Sequence, residues 1–430
     1  MSALSGAAGP IRPGRRAAVS TGTSERPALR ANRAFWLLWV GQAGSTLGST
    51  SSALAMPLLV LALTGSPTQA GLVGFVATGS AVVGLLPAGV VADRLDRRGL
   101  MRWCDAGRAG AMAALTVTLA LSRPPLVELL GLALVNGSLS ALFLAAHSGA
   151  VRHVVARADL PTAVARNQVY EQAAVVGGPP LGGVLFAVAR PLPFLVDAVS
   201  YLISYLTITA ICIPLQESQQ PSGPREPTRR RLLDGLRWSF AEPFLRASVL
   251  YVAALTLVSP AVVLSVIVGA SAHGASATET GVIFALSGIG GVAGAVVAPK
   301  IQQRWAPGAV LLAAGAVCAT AVPLLTTTTH PILLGVILAA TGFVSPLINT
   351  IIVSYQMRVT PDRLQGQAYA SMILIAGSSA ALGSLTGGFL LTAIGPTKSL
   401  LVLTAVIVTV VVTASSSTAL RTGGQMSTSC

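Results

Sequence analysis

Apolar and polar residues alternate in long blocks along this chain, from Phe35 to about Leu420. The apolar blocks are about 20 residues long, which is the length that an α-helix needs to cross a bilayer core of roughly 30 Å. An unpaired strand edge cannot persist in lipid, so continuous apolar blocks predict helices rather than the alternating strands of a barrel. We predict twelve membrane-spanning helices, at residues 35–63, 68–92, 100–121, 126–150, 165–188, 192–214, 244–270, 278–299, 308–326, 331–355, 366–394 and 398–418.

Composition supports an all-α membrane protein. Hydrophobic residues make up 53% of the 430 residues and the mean hydropathy is +0.73, whereas soluble domains contain about 45–50% apolar residues. The four cysteines lack any paired spacing, so no disulfide framework or metal site is predicted. Residues 1–34 are rich in Arg, Ser and Pro, which predicts a disordered basic tail. The first apolar block continues past a cleavage-like site at residues 53–55, so an uncleaved first helix is predicted.

The net charge of +14 could indicate a nucleic-acid partner, but its distribution argues against one. Of the 28 Lys and Arg residues, 23 fall in the two terminal tails and in alternate segments between the predicted spans. The other segments hold only Arg123, Arg190 and Lys398. This asymmetry follows the positive-inside rule, so both termini are predicted to be cytoplasmic in a multi-pass protein of the cell inner membrane. The expected partners are the lipid bilayer and a small molecule, with no nucleic acid.

The chain divides into two similar halves. Residues 70–94 align with residues 280–304, and residues 179–186 align with residues 383–391. A repeat of a whole six-helix half predicts a transporter with its substrate path between two bundles near the bilayer midplane. Two complete halves make a monomer sufficient. The predicted units are an N-terminal bundle, a central segment with an amphipathic helix, a C-terminal bundle and a cytoplasmic tail, at residues 35–215, 216–242, 243–420 and 421–430.

A charged stretch, GVVADRLDRRG at residues 89–99, follows the second predicted span. Gly89 allows close helix approach, and Asp93 at the end of the span can face a helix N-terminus or an arginine. Asp105 and Arg108 are expected at the same membrane surface, where low dielectric strengthens a charge pair. We predict a conformational latch that holds the halves together, formed by Gly89, Asp93, Arg94, Arg97, Arg98, Asp105 and Arg108.

The pattern G-x-x-x-D-R-x-x-R-R after the second of twelve spans resembles the signature loop of the major facilitator superfamily. The resemblance covers residues from about 35 to 420 and implies a twelve-helix transporter fold. In the second half the pattern is weaker, because Pro299 and Gln303 stand in place of Gly89 and Asp93. The stretches PFLVDAVSYLISYL and LPTAVARNQ are further similar to the branch that contains macrolide efflux proteins and the enterobactin exporter.

The fifth span contains VVGGPPLGGVLF, which resembles the glycine-proline motif of the superfamily's drug and metabolite antiporters. Its antiporter-like residues are Gly178, Pro179, Gly182 and Gly183; the alternative is a small-residue packing face with no effect on transport direction. Asn167 and Glu171 share one helix stripe with Gly178 and Gly182, and that stripe is predicted to face the bundle interior.

Glu171 is the first candidate for a proton or cationic-substrate site, because an acid within a span is costly unless it is paired, protonated or hydrated. A structural pair of Glu171 with Arg166 or Arg152 is the alternative. Asn167 and Asp197 complete the predicted proton or substrate site, although Asp197 could instead anchor the outer end of its helix. Asn136, His147 and Asn349 are interpreted as helix-to-helix hydrogen-bonding groups.

The sequence contains no Walker loop, metal pair or nucleophile elbow, so no enzymatic activity and no cofactor are predicted. An ion gradient would then supply the energy. The leading hypothesis is a proton-coupled exporter of a drug-like compound or secondary metabolite. The alternatives are an importer of a small nutrient, and a membrane scaffold or sensor that keeps the fold without transporting.

Overall fold

The structure is a computed structural model that describes residues 29–216 and 228–417. Most of the predicted N-terminal tail and all of the tail at 421–430 lie outside the described residues. Residues 29–34, which were expected to be disordered, are instead folded. Leu29 donates its backbone N–H to Asp159 at 3.2 Å, and Asn32 caps the first helix while its side-chain amide donates to the Val154 carbonyl at 3.0 Å. These polar contacts fix the chain before it enters the membrane.

The described residues form α-helices, two short 3₁₀ turns and no strand. The helices are α1 Arg33–Thr64, α2 Pro67–Arg94, α3 Arg97–Leu121, α4 Leu126–Val154, α5 Leu160–Val188, α6 Leu192–Thr209, α7 Thr228–Ala241, α8 Pro243–Ala272, α9 Ala277–Arg304, α10 Pro307–Leu324, α11 Pro331–Val359 and α12 Asp362–Ser416. Helix α12 contains two arms, residues 362–394 and 396–416, because Gly395 has a left-handed φ of 76° and Pro396 follows it.

The predicted fold class is confirmed. With α7 set aside and the arms of α12 counted separately, twelve helices of span length match the twelve predicted spans. Nine helices in the described part are long and apolar enough to cross a membrane, α12 being one of them. Helices α3 and α5 fall short of that apolarity. Helix α3 contains Asp105 and Arg108, and α5 contains Arg166 and Glu171.

Aligned glycines of the two halves make equivalent contacts. Gly71 of α2 packs against α12, and its counterpart Gly281 of α9 packs against α5. Gly183 of α5 meets α9, and its counterpart Gly388 of α12 meets α2. In each case an added Cβ would lie within 3 Å of a neighbouring backbone atom, so only glycine permits this approach. The sequence repeat therefore corresponds to a structural repeat in which α2 and α5 match α9 and α12.

The two halves meet at one end of the bundle. We call it the outer end, and we call the opposite end, which the charge distribution assigns to the cytoplasm, the inner end. Near the outer end the Thr68 and Thr392 hydroxyls are 2.8 Å apart, and Leu264 and Leu391 of the C-terminal half join a buried cluster of the N-terminal half. At the inner end the buried clusters around Phe35 and around Phe244 each contain residues of one half only. The halves are therefore apart at the end that we call inner, and we call this arrangement inward-open.

Helix α7 packs on the C-terminal half at the inner end. Gly235 lies against the backbone of Gln367 and Ala368 in the first turns of α12, and Trp238 contacts the buried cluster around Phe244. These contacts leave another face of α12 uncovered at that end, because Gly366, Ala370 and Ile373 are exposed.

Candidate functional site

A cluster of buried polar side chains lies inside the N-terminal half. Its members come from four helices and contact one another by hydrogen bonds, except Asp105, which is joined by an ion pair to Arg108. They are Ser49 and Ser52 of α1, Asp105 and Arg108 of α3, Asn136 of α4, and Asp197, Ser200 and Tyr201 of α6. We call this set the N-half charged cluster. It is an enclosed site, since Asp105 and Asp197 are 0% exposed and Arg108 is 7% exposed.

Arg108 and Tyr201 form the centre of the N-half charged cluster. The guanidinium donates through Nη2 to the Tyr201 hydroxyl at 2.6 Å and through Nε to the side-chain amide oxygen Oδ1 of Asn136 at 3.2 Å. The Arg108 Cζ also lies 3.9 Å from the centre of the Tyr201 ring. A buried guanidinium needs such partners because an unpaired charge in a low-dielectric interior is strongly destabilising.

Asp197 is held mainly by hydroxyl groups of α1. Ser52 donates to its Oδ2 at 2.6 Å and Ser49 donates to its Oδ1 at 3.3 Å. The Ser49 hydroxyl is also 2.8 Å from the Tyr201 hydroxyl, so two hydroxyl groups link Arg108 to Asp197. Asp197 is the sixth residue of α6, is fully buried and packs against α1.

Asp105 has fewer contacts. Its Oδ1 lies 4.0 Å from Arg108 Nη1, and within the described part of the chain neither carboxylate oxygen accepts a hydrogen bond. The cluster thus contains two carboxylates and one guanidinium. Binding of one proton would make it electrically neutral and would lower the cost of keeping it in the membrane interior.

Helix α1 connects the N-half charged cluster to α5. Ser49 and Ser52 face α6, whereas Thr50 and Ser51, between them in sequence, face α5. The Thr50 hydroxyl donates to the Ala174 carbonyl at 3.0 Å. An added Cβ at Gly178 would contact Thr50, and one at Gly182 would lie 2.4 Å from the Ser51 carbonyl oxygen.

The other antiporter-like residues of α5 face the opposite half. Pro179 lies against Gly281 of α9, and a Cβ at Gly183 would lie 2.4 Å from the Ala277 carbonyl oxygen. The four motif residues are therefore divided between two neighbours, with Gly178 and Gly182 on α1 and Pro179 and Gly183 on α9. The motif occupies the junction between the charged half and the C-terminal half, as a small-residue packing face does.

The predicted latch residues do not form one cluster. Asp93 pairs with Arg97 at 3.8 Å at the inner end. Asp105 and Arg108 instead belong to the N-half charged cluster, because Asp105 lies about 12 Å further along α3 than Arg97 at 1.5 Å per residue. The helical period also turns both side chains toward α4 and α6. The expectation that they share the membrane surface with Asp93 is therefore not met.

The loop arginines contact the N-terminal half. The Arg97 guanidinium packs on Gly149 of α4, and its backbone N–H donates to Gln216 at 3.3 Å. Arg98 donates to the Ile213 carbonyl, and Arg94 is exposed. Gly89 was expected to allow close helix approach, but no atom lies within 4 Å of an added Cβ there. The reason is the inward-open state, in which the inner ends of α2 and α12 are apart.

Glu171 lies in the inner half of α5 and is half-buried. Gln168 donates to its carboxylate at 2.9 Å, and within the described residues no ion pair joins it to Arg166 or Arg152. Arg166 instead stacks over the Trp36 ring at 5.0 Å. Asn167 is also half-buried and makes no hydrogen bond to another residue of the described chain. The structure therefore does not join Glu171 and Asn167 to Asp197, with which they were grouped.

The C-terminal half contains a cavity of 530 Å³. Helices α8, α9, α10, α11 and both arms of α12 line it, and its walls are mostly aliphatic. No charged residue is among the lining residues. The polar lining residues are Thr256, Ser259, Ser287, Thr341, Ser345, Asn349 and Tyr369.

The comparisons with known proteins agree with this architecture. The sequence profile described as Major Facilitator Superfamily matches the chain over residues 38–384 and again over residues 247–421. The chain belongs to the major facilitator superfamily. The predicted family resemblance is thereby confirmed, and the structure described above is a superfamily transporter fold with membrane-spanning helices.

Curated relatives within the superfamily include enterobactin exporters. The chain is 26% identical to the enterobactin exporter EntS of Shigella dysenteriae serotype 1 over 285 residues, which cover 66% of this chain and 67% of that protein. It is 25% identical to EntS of Escherichia coli O1:K1 / APEC over 340 residues, covering 79% and 80% of the two chains. Efflux proteins are therefore among its sequence relatives.

Solved superfamily structures share the fold at low identity. The nucleoside transporter NupG superposes with a TM-score of 0.75 at 13% identity, covering 89% of this chain and 98% of its own. A bacterial homologue of the iron transporter ferroportin in an inward-facing state superposes with a TM-score of 0.67 at 15% identity, covering 93% and 100%.

The sequence did not single out the four hydroxyl residues of this superfamily member's charged cluster, which are Ser49, Ser52, Ser200 and Tyr201. Tyr201 lies four residues after Asp197 and therefore on the same face of α6, which is the signal that could have found it. Ser49 and Ser52 lie in a run of small polar residues on α1 that carries no signal of its own. Asn136 was interpreted as a helix-to-helix hydrogen-bonding group, and it does accept from Arg108 of α3.

Proposed function

We propose that this protein is a proton-coupled exporter that moves a drug-like compound or secondary metabolite out of the cell by alternating access. The observation that carries the proposal is the N-half charged cluster, in which two carboxylates share one guanidinium. A proton taken up or released there changes the charge of an enclosed site. Such a change shifts a conformational equilibrium if the two access states bind the proton with different affinity.

A continuous packing route supports the link between proton and conformation. Asp197 contacts α1 through Ser49 and Ser52. Thr50 and Ser51, on the adjacent face of α1, contact Gly178 and Gly182 of α5. Helix α5 in turn packs on α9 of the other half. A rearrangement of hydroxyl groups around Asp197 would therefore reach the contact between the halves through two helices, α1 and α5.

The proposed direction of transport and the proposed substrate class are supported by the sequence relatives and by the α5 motif. The curated relatives are named as exporters of enterobactin, and the glycine-proline motif of α5 resembles that of antiporters. Proton influx down its gradient can drive the exit of a second solute when both bind alternately to one transporter. The charge distribution favours a cell inner membrane with both termini cytoplasmic.

Everted membrane vesicles test the proposal directly. Vesicles from cells producing the protein are acidified inside and given enterobactin, erythromycin or Nile red. We expect at least one of these compounds to accumulate uphill and to leave when a protonophore removes the gradient. Vesicles with the Asp197→Asn variant serve as the matched control, because that change removes one carboxylate and keeps its size.

The alternative functions give different outcomes. An importer of a small nutrient would accumulate its solute in right-side-out vesicles and lose it from everted ones. A scaffold or sensor would accumulate nothing in either orientation while remaining correctly inserted. Either result, with normal amounts of protein in the membrane, contradicts the exporter proposal.

A further inference from the structure

The acids that lie more than one turn inside the described spans all belong to the N-terminal half. They are Asp105, Glu171 and Asp197. In the described part of the C-terminal half the acids are confined to α7 and to helix starts: Asp234 in α7, Glu242 as the cap of α8, Glu279 in the first turn of α9 and Asp362 at the start of α12. The membrane interior of that half therefore offers no carboxylate to a ligand.

The cavity of the C-terminal half matches this lack of charge. Its volume of 530 Å³ falls within the range of about 300–1,000 Å³ for small-molecule sites. Val249, Val262, Ile348 and Ile352 are among its aliphatic walls, and Phe284 and Met372 add an aromatic ring and a thioether. A charged ligand would lose its hydration here without gaining a counter-charge, which is unfavourable in a low-dielectric site.

Four polar side chains of the cavity lack protein partners. Ser259, Ser345, Asn349 and Tyr369 are exposed, and none of them makes a hydrogen bond to another described residue. In contrast, the hydroxyls of Thr256 and Thr341 donate to helix carbonyls at 2.9 Å and 2.8 Å. Ser345 and Asn349 are four residues apart on α11 and so share one face. They offer a short polar row on an otherwise apolar wall.

We propose that this cavity is the substrate site and that it takes an uncharged, predominantly apolar molecule whose few polar groups bond to Ser345 and Asn349. This proposal rests on the exporter function. In this proposal the two ligands bind in different halves: the proton binds at the N-half charged cluster, and the substrate binds in the C-terminal half. Proton and cargo then do not compete for one group, and their exchange is coupled through conformation alone.

Cys318 lines the cavity and provides a direct reporter. Cys104, Cys212 and Cys430 are replaced by serine, and the protein is placed in lipid nanodiscs without any ion gradient. The rate at which N-ethylmaleimide modifies Cys318 is followed by intact-mass spectrometry. Nile red, an uncharged apolar dye, and ethidium, a permanent cation, are then compared as protecting ligands.

We expect Nile red to slow the modification of Cys318 about tenfold at about ten times its Kd, because only the unoccupied fraction reacts. Ethidium should leave the rate unchanged. A matched protein that keeps only Cys212, which is exposed just after α6, should show no protection by either dye. Protection of Cys318 by ethidium, equal protection at Cys212, or no protection by saturating Nile red would each overturn the proposal.

A charge-changing variant sharpens the test. Ser345→Asp places a carboxylate on the polar row, whereas Ser345→Asn changes size similarly without adding charge. The first change should abolish protection by Nile red and introduce protection by ethidium, and the second should retain the original preference. Unchanged selectivity in a folded Ser345→Asp protein contradicts the proposal. If that variant fails to fold, the comparison of the two dyes on the Cys318 protein decides by itself.

The outcome is independent of transport. Protection of Cys318 by Nile red without uphill accumulation in everted vesicles would support the cavity and contradict the exporter function. Uphill accumulation in everted vesicles without protection of Cys318 by Nile red would support the exporter function and contradict the cavity as the substrate site.

Discussion

Two tyrosines of α6 accept hydrogen bonds from arginines of α3, and they differ in burial. Tyr201 accepts from Arg108 at 2.6 Å and is 0% exposed, whereas Tyr205 accepts from Arg102 at 3.0 Å and is partly exposed. This pair offers a matched test of the N-half charged cluster, because the same chemical change can be made four residues apart on one helix.

We predict that Tyr201→Phe lowers proton-driven efflux about tenfold, because it removes the hydroxyl that links Arg108 to Ser49 and leaves buried donors unsatisfied. Such a loss costs about 1–3 kcal/mol, and 1.4 kcal/mol corresponds to a factor of ten. Tyr205→Phe should change efflux less than twofold. Uphill transport in everted vesicles and thermal unfolding of both proteins are the measurements. Equal effects of the two changes would contradict a special role of Tyr201.

Glu171 remains the other candidate for the coupling acid. If Glu171 rather than the N-half charged cluster binds the coupling proton, Glu171→Gln should abolish uphill efflux but spare counterflow exchange of an uncharged substrate, because the amide keeps the contact with Gln168 and cannot bind the proton. Both transport modes are measured in proteoliposomes. Loss of both modes would make Glu171 a structural or substrate-binding group. Full activity, together with inactive Asp197→Asn, would assign coupling to the charged cluster.

The sequence identified most of the charged residues of the site but not their arrangement. Asp105, Arg108 and Asp197 were each recognisable because acids and arginines are rare within spans. Their joining could not be predicted, since Arg108 and Tyr201 are 93 residues apart and a sequence pattern does not fix how neighbouring helices are rotated. Asp105 and Arg108 were placed at the membrane surface for that reason.

At the scale of helices, glycines set the distance between α1 and α5. We predict that Gly182→Ala destabilises the protein by about 1–3 kcal/mol, because its Cβ would lie 2.4 Å from the Ser51 carbonyl oxygen and backbone cannot yield easily. Gly177→Ala is the matched control, since its Cβ would meet Leu47 at an ordinary 3.7 Å. Thermal unfolding in detergent compares the two. Similar melting temperatures would argue against tight packing at Gly182.

Helix positions were predicted more accurately than helix ends. The predicted span at 165–188 begins five residues later than α5, and the predicted span at 192–214 extends five residues beyond α6. Apolarity marks the part of a helix that lies in lipid, whereas a helix ends where its backbone groups find other partners. Helix α5 therefore begins at residue 160, ahead of the polar residues Arg166, Asn167 and Gln168, and α6 stops although residues 210–213 are apolar.

At the scale of the molecule, the contact of α2 with α12 predicts the closed inner end. Gly71 faces Gly388 and Val82 faces Gly377. The two helices are therefore antiparallel, and a step of eleven residues toward the C-terminus of α2 matches a step of eleven residues toward the N-terminus of α12. If the same register continues for seven more residues on each helix, Gly89 lies opposite Ala370. Four residues further on, Asp93 lies opposite Gly366. All four residues are exposed in the inward-open state. They form the expected inner contact of the outward-open state.

We predict two mutually exclusive disulfides in a background without other cysteines. Thr68→Cys with Thr392→Cys should crosslink the inward-open state, because these hydroxyls are 2.8 Å apart. Gly89→Cys with Ala370→Cys should crosslink only the outward-open state. Gel mobility after mild oxidation measures each pair, and the coupling substrate or pH should raise one yield as it lowers the other. Simultaneous high yield of both bonds in one population would contradict the register.

We also predict that Asp93→Asn slows transport about tenfold while insertion and folding remain normal. In the outward-open state Asp93 would face the first turn of α12, where a carboxylate gains about 0.3–2 kcal/mol from the helix N-terminus. Gln303→Ala, at the corresponding position of the second half, should matter far less. Initial rates in everted vesicles, corrected for the amount of protein, provide the comparison. Near-normal efflux by Asp93→Asn would contradict the latch.

The twelve spans, the two halves and the family could be predicted from the sequence, because apolar length, charge asymmetry and the internal repeat each depend on local residues. The access state could not. One sequence must support both states, so Gly89 and Asp93 carry the signature of a contact that is open in this structure.

The charged cluster also constrains the order in which the protein enters the membrane. Helix α3 falls short of the apolarity of a membrane span on its own. Tyr201 of α6, which accepts a hydrogen bond from Arg108, is synthesised 93 residues after it. At about 5–20 residues per second, the ribosome needs about 5–19 s to supply Tyr201 after Arg108. During that interval Asp105, one turn away on the same helix, is the counter-charge already at hand. Asp105, which has few contacts in the folded transporter, would thus neutralise Arg108 in the bilayer until Tyr201 is available.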